Sequence, residues 1–274
     1  MSPSTLLPDA GILGFIGCGQ LGRSLVRGFI EAGVVDPERV VIAARSSAAE
    51  TAKALGVRSA TAIEVAGEAD VIILAVKPAD APRLVTGLHF QLGQIVISVV
   101  AGVPRSRLQV SPASLLRVMP NTACRVGRGT TALLNSGDEL PEGLALARAL
   151  FEAVGVVFEL PDEGLFHAVT ALSASGPAFL FTAMDALTDG AVAAGLPRDL
   201  ARRMVVSTFR GATALAAVPG SMPASLRDEI TSPAGTTIRG LQVLEQRAFR
   251  GALVEAVVAS AERSKELARE AEKS

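Results

Sequence analysis

The chain has 274 residues, more than one domain usually needs, so two domains are expected. It is 49% hydrophobic and 19% charged, with 10 Phe and neither Trp nor Tyr, a composition that excludes a disordered chain. Its 26 basic and 27 acidic residues nearly cancel to a formal charge of −1 with no basic cluster, and the best stacking side chains are missing, which together exclude a nucleic-acid-binding surface.

Met1–Ala10 carries no basic n-region, so no signal peptide is expected. The two cysteines, Cys18 and Cys124, show no paired or C-x-x-C spacing, which suits a reducing, cytoplasmic compartment. A strand is expected at Gly11–Ile16 and a helix at Leu21–Ala32, then a strand at Val40–Ala44 and a helix at Ser46–Leu55. Val71–Val76 and Ile95–Val100 are short, apolar but for Ser98 and rich in Val and Ile, like strands buried on both faces of a parallel sheet. Ser114–Met119 and Thr130–Leu134 are expected as edge strands, and Val154–Glu159 as a last strand. The alternation predicts right-handed βαβ units and an α/β fold, a doubly wound sheet over residues 1–160.

After Pro161 the texture turns helical, at Glu163–Leu172, Pro177–Ala194, Arg198–Ala217, Ala224–Ile230, Thr236–Gln246 and Ala248–Glu270. Residues 161–274 therefore read as a second, all-helical domain. Between Ala168 and Leu196 only Asp185 and Asp189 are charged, so the helix from Pro177 is apolar on nearly every face. Such a helix must be buried all round, and the few helices around it cannot enclose it alone. A second subunit, most simply in a two-fold dimer, is expected to complete the burial. A membrane span is not expected, because Ser175-Gly176-Pro177 interrupts the uncharged segment Ala168–Met184.

Gly17-Cys18-Gly19-Gln20-Leu21-Gly22 follows the first strand and opens the first helix. Gly17 permits the tight turn, Gly19 lets backbone approach a pyrophosphate, and Gly22 lets helix and strand pack closely, while free amides at the helix start face the anion. A dinucleotide site usually places an acid about 20 residues past such a motif for the ribose of NAD. Ala44-Arg45-Ser46 has none there; Arg45 can pair with a 2′-phosphate and Ser46 can donate to it, so NADPH is the expected cofactor, with NADH less favoured. Val76 and Lys77 close the fourth strand, where ligands gather, and Ala101-Gly102 is expected beside the nicotinamide. Asn121 offers an amide near the same crevice.

Thr231-Ser232-Pro233-Ala234-Gly235-Thr236-Thr237 places four hydroxyls ahead of and within the start of a helix. Amides and hydroxyls there form a compact anion cradle, and with no Lys or Arg in it the ligand is small and singly charged, such as a carboxylate. Ser175 can cap the helix from Pro177 and stand beside the substrate. Other chemistries fare badly. His89 and His167 lack metal spacing, Asp185 and Asp189 read as a solvated pair one turn apart, and Cys18 reads as a turn residue, so no metal is expected.

Taken together, Gly14–Gly19, Val76-Lys77-Pro78, Ser98–Val103, Arg117–Asn121, Leu172–Phe179, Leu226-Arg227-Asp228 and Thr231–Thr237 resemble the pyrroline-5-carboxylate reductases over nearly the whole chain. The resemblance implies an N-terminal Rossmann domain, a C-terminal all-helical dimerisation domain and often a decamer of five dimers. It implies reduction of 1-pyrroline-5-carboxylate to L-proline by hydride transfer, with Ser232, Gly235, Thr236 and Thr237 on the carboxylate and ring nitrogen and Thr237 in the catalytic role. Ala174 and Ala234 stand where the family usually has Gly, and Gly220 where it often has an acid. These departures keep two alternatives open: a reductase of a related cyclic imino acid, and a non-catalytic NADPH-binding paralogue.

Overall fold

The computed structural model describes residues 11–46 and 48–273; Met1–Ala10, to which the signal-peptide expectation refers, lies outside them. Strands β1 (Leu13–Ile16), β2 (Val40–Ala43), β3 (Arg58–Ser59), β4 (Val71–Leu74), β5 (Ile95–Ser98), β6 (Ser114–Met119), β7 (Gly129–Leu134) and β8 (Gly155–Leu160) make one sheet, ordered β3-β2-β1-β4-β5-β6-β7-β8. Neighbours run parallel except β6 and β7, which are antiparallel. Between them come α1 (Gln20–Glu31), α2 (Ala48–Leu55), α3 (Ala62–Glu68), α4 (Ala81–Thr86) and α5 (Pro141–Glu152).

Strand pleating explains the unbroken apolar runs. Leu13, Phe15, Val40, Ile42, Val71 and Ile73 face one core with Leu25 and Phe29 of α1 and Phe151 of α5. Their neighbours Ile16, Val41, Ala43, Ile72 and Leu74 face a second core with Val65 of α3 and Val85 of α4. Both faces are covered, as a parallel sheet requires. Phe29 meets Phe151 edge-on at 5.6 Å between ring centres.

The expectation of edge strands at Ser114–Met119 and Thr130–Leu134 is corrected: both lie inside the sheet, whose edges are β3 and β8. Arg117 interrupts the apolar run of β6, yet it is 4% exposed. Its guanidinium meets the Glu163 carboxylate at 2.6 Å and lies 4.8 Å from the centre of the Phe166 ring. With its charge met there, β6 can pair with β5 on one side and β7 on the other.

The helical part comprises α6 (Phe166–Val169), α7 (Gly176–Ala193), α8 (Arg198–Ala216), α9 (Pro223–Glu229), α10 (Thr236–Gln246) and α11 (Phe249–Lys273). A π-helical segment, Thr170–Ala174, joins α6 to α7. Ser175-Gly176-Pro177 therefore does not break the chain, contrary to expectation; Glu163–Ala193 is one helical run of 31 residues, long and apolar enough to cross a membrane by length and composition. Pro177 cannot donate to the Ser173 carbonyl four residues back, and Asn121 Nδ2 donates to it instead at 3.0 Å.

Packing divides the chain into two compact units, the described part of Met1–Ala174 with Ser260–Ser274, and Ser175–Ala259. The first holds the sheet, α1–α6 and the C-terminal part of α11. The second holds α7–α10 and the beginning of α11, with Leu187 and Ala191 of α7 and Met204, Val205 and Phe209 of α8 around an apolar cavity of about 230 Å³. Phe181, Leu187, Val206, Leu215 and Val243 of this unit are exposed.

In α1, a Cβ on Gly28 would lie 2.5 Å from the Cys124 carbonyl oxygen and 3.1 Å from Val154 Cγ1, whereas one on Gly67 in α3 would meet nothing within 4 Å. Gly28→Ala is expected to lower the free energy of unfolding by about 1–3 kcal/mol, and Gly67→Ala to raise it by about 0.5–1 kcal/mol. Denaturant titration checks both, and an unchanged midpoint for Gly28→Ala contradicts the packing.

Candidate functional site

The turn after β1 is pinned from two sides. Gly17 has φ +96°, and its amide donates to the Ala43 carbonyl at the end of β2 at 2.8 Å. A Cβ on Gly17 would lie 2.5 Å from the Ala75 carbonyl oxygen, and one on Gly22 2.8 Å from the Gly17 carbonyl oxygen. Only glycine fits either place. A Cβ on Gly19 would meet nothing within 4 Å, so this is the open side of the turn. The first i→i−4 bond of α1 runs from Arg23 N–H to Gly19 at 2.9 Å, so the amides of Gln20, Leu21 and Gly22 come before the helical ladder. Such a helix start can cradle a phosphate group, with room where Gly19 lacks a side chain.

The turn forms one end of a pocket of about 690 Å³. Gly17, Gly19, Arg45, Ser46, Val76 and Lys77 line it, as expected together, while Gln20, Leu21 and Gly22 lie just behind the lining in α1. Among the lining residues that escaped the sequence, three are charged: Arg23, Asp80 and Arg83. Arg23 was findable, being one helical turn beyond Gly19. Its Nε donates to the Cys18 carbonyl at 3.2 Å and a terminal nitrogen to Thr51 Oγ1 at 2.9 Å. Arg45 is 79% exposed and meets Asp80 Oδ2 at 2.7 Å. Cys18 is buried, and burial pushes its thiol up to about 11 against the opposing effect of Arg23, so it stays protonated and is no nucleophile at neutral pH.

Other expected site residues lie elsewhere in the first unit. Gly102, at φ +71°, has α11 as its close neighbour: a Cβ there would lie 3.4 Å from the Ser264 carbonyl oxygen. Ala101 packs with Met119, Leu134 and Phe166. Asn121 is 7% exposed, and its Oδ1 accepts from the amides of Ala123 and Thr130 at 3.2 Å each while Nδ2 holds Ser173. None of the three lines the pocket.

In the second unit, Ser175 sits at the start of α7 in helical conformation and makes no side-chain cap, because the π segment already delivers a helical turn there. The Thr231–Gly235 segment turns sharply before α10. Ala234 has φ +59°, Gly235 N–H donates to the Ser232 carbonyl at 3.2 Å, and a Cβ on Gly235 would lie 2.3 Å from Ser232 Oγ. Thr231 Oγ1 turns away from this start and donates to the Arg227 carbonyl at 2.6 Å. Ser232, Gly235, Thr236 and Thr237 remain grouped at the first turn of α10, where no side chain caps the helix.

Comparison with known proteins gives these places a family. Residues 163–267 match the family model described as pyrroline-5-carboxylate reductase dimerisation, and residues 12–102 the one described as NADP oxidoreductase coenzyme F420-dependent. The chain is 41% identical over 262 residues to the Arabidopsis thaliana pyrroline-5-carboxylate reductase, covering 93% of this chain and 95% of that protein. The Thermus thermophilus pyrroline-5-carboxylate reductase is 42% identical, with 93% and 98% covered. The chain belongs to the pyrroline-5-carboxylate reductase family. The crystal structure of Plasmodium falciparum pyrroline carboxylate reductase with NADP bound superposes with a TM-score of 0.86 at 29% identity, covering 94% of this chain and 98% of that one.

Against the usual pattern of pyrroline-5-carboxylate reductases, Ala234 adopts the left-handed conformation despite its methyl group, at a cost of order 1 kcal/mol. Gly220, also left-handed at φ +83°, occupies a turn between α8 and α9. Ala174 ends the π segment and packs beside Met119 and Phe166.

His167 is a packed residue: its Nδ1 lies 2.9 Å from Oγ of the buried Ser264. Burial lowers its pKa, helped by Arg117 and Lys265 and opposed by Glu262 and Glu163. With the folded pKa below the ordinary 6.5, the unfolded chain binds the proton more readily, so His167 costs no stability above pH 6.5 and destabilises as pH falls below it. His167→Gln is expected to flatten the fall in melting temperature between pH 7 and pH 5. Parallel pH profiles for the two proteins would contradict that.

Proposed function

We propose that the protein reduces 1-pyrroline-5-carboxylate to L-proline with NADPH, in the cytoplasm, as the last step of proline biosynthesis. The observation that carries the cofactor reading is the pocket itself: a glycine turn open at Gly19, and Arg45 where an NAD site would place an acid. When bound, the nicotinamide supplies the hydride. Gly17, Gly19 and the first amides of α1 hold the pyrophosphate, Arg45 and Ser46 the 2′-phosphate, and Val76 and Lys77 the wall between. Ala101 and Gly102 enter through the turn that they form after β5.

The C=N carbon of a protonated cyclic imine is already electrophilic, so the residues need only place charge and align the acceptor. In this reading Ser232, Gly235 and Thr236 hold the carboxylate, and Thr237 hydrogen-bonds the ring nitrogen. Asn121 contributes through the Ser173 carbonyl that it holds, and Ser175 through its place at the start of α7. Residues 1–160 serve the cofactor, and residues 161–274 the substrate and dimerisation. Reduction of a related cyclic imino acid is the second reading, kept open by Ala234, whose methyl stands in the turn beside Gly235.

The exposed Phe181, Leu187, Val206 and Leu215 support a homodimer; five such dimers in a decamer, with no membrane, complete the reading. Thr237→Ala is expected to lower kcat/KM for the imine at least about ten-fold, roughly 1.4 kcal/mol, in an assay of NADPH oxidation with five- and six-membered imine carboxylates; unchanged kinetics removes Thr237 from the mechanism. Sedimentation at micromolar concentration is expected to show a dimer or larger, and a monomer would overturn the assembly.

A further inference from the structure

The pocket carries a charge that works against the cofactor it is proposed to hold. Among the described residues that line it, Arg23, Arg45, Lys77 and Arg83 are cationic and Asp80 is acidic. Arg23 is committed to the Cys18 carbonyl and to Thr51. Arg45, which follows the end of β2, has its guanidinium on Asp80 Oδ2 at 2.7 Å. Asp80 comes from the short turn Pro78–Asp80 after β4, immediately before α4, and its amide donates to the Lys77 carbonyl at 3.0 Å. The carboxylate thus stands on a fixed support, 35% exposed, while Arg45 is 79% exposed and reaches over to it.

We propose that Asp80 is a specificity-determining residue that holds down the preference for NADPH over NADH by competing with the 2′-phosphate for Arg45. The inference rests on the cofactor reading above. A 2′-phosphate and the Asp80 carboxylate are anions of the same appetite for one guanidinium, and both use its planar fork. NADPH must draw Arg45 away from Asp80 or share it next to a like charge. NADH brings no phosphate to that place and leaves the pair intact. The pair is exposed, so it adds little to folding and is free to act on binding. An acid at the end of β2 would reject the phosphate outright; an acid after β4, two strands away across β1 and acting through Arg45, moderates it.

The test is equilibrium titration of NADPH and NADH into the wild-type protein, Asp80→Asn, Arg45→Ala and the double variant. Asp80→Asn is expected to tighten NADPH about three- to five-fold, in keeping with the modest strength of an exposed ion pair, and to leave NADH within about two-fold. In the Arg45→Ala background the same substitution is expected to leave NADPH within about two-fold, because the contested group is gone. Unchanged or weaker NADPH binding by Asp80→Asn overturns the proposal, the weaker case meaning that Asp80 orients Arg45 for the phosphate. An equal gain without Arg45 also overturns it, in favour of plain repulsion. Wild-type protein that prefers NADH while Asp80→Asn still gains NADPH affinity would sink the NADPH reading and support this one.

Discussion

Gly17 has no room for a side chain, and much of the first unit follows from that. Its amide is tied to the end of β2 and its α-carbon lies against the main chain after β4, so β1 is clasped between its two sheet neighbours at the point where the chain leaves for α1. Gly22, packed on the Gly17 carbonyl, sets how closely that helix lies to the turn. With the helix so placed, its first amides fall on the side where Gly19 leaves space. A bulkier turn would push α1 outward, and the same displacement would strip the helix of its fit on Cys124 at Gly28. The anion cradle and the packing of α1 on the sheet are thus one geometric fact.

What the sequence makes legible is what depends on neighbours along the chain. Strands β1, β2, β4 and β5 read clearly because burial on both faces leaves them almost wholly apolar, Ser98 of β5 aside. The glycine turn, Arg45 and Lys77 read clearly because strand ends are where a doubly wound sheet gathers its ligands. Illegible were features decided by distant partners. The two-residue β3 has no period to detect, and the place of β6 inside the sheet depends on β7, whose antiparallel pairing with it no local pattern announces. Asp80 and Arg83 reach the pocket only once α4 is laid against the sheet. Asn121 looked like a free amide; its acceptor is the Ser173 carbonyl, 52 residues on, which a proline leaves without a helical donor. Helix α5 carried a usable signal in Leu144, Ala147, Leu150 and Phe151.

Helix α7 raises the question of what covers an apolar helix in water. Its hydroxyls are internally satisfied: Thr182 Oγ1 donates to the Ala178 carbonyl at 3.0 Å and Thr188 Oγ1 to Met184 at 2.8 Å, so the helix can enter a dry environment without orphaned donors. Lipid and protein are both dry, and the neighbouring helix separates them. Helix α8 packs on α7 through Ala201 and Val205, yet it carries Arg198, Arg202, Arg203 and Arg210 along its length. Arg198 pairs with Asp189 of α7 at 2.8 Å, but in a bilayer Arg202, Arg203 and Arg210 would be costly beside α7, and α8 itself supplies only Asp199 to neutralise them. Against protein, apolar positions such as Leu187 and Met204 can be covered while the arginines stay at a wet rim. The charge on α8 is therefore what supports the proposed second copy of the chain as the cover for α7, an argument that neither the length nor the apolarity of α7 could supply.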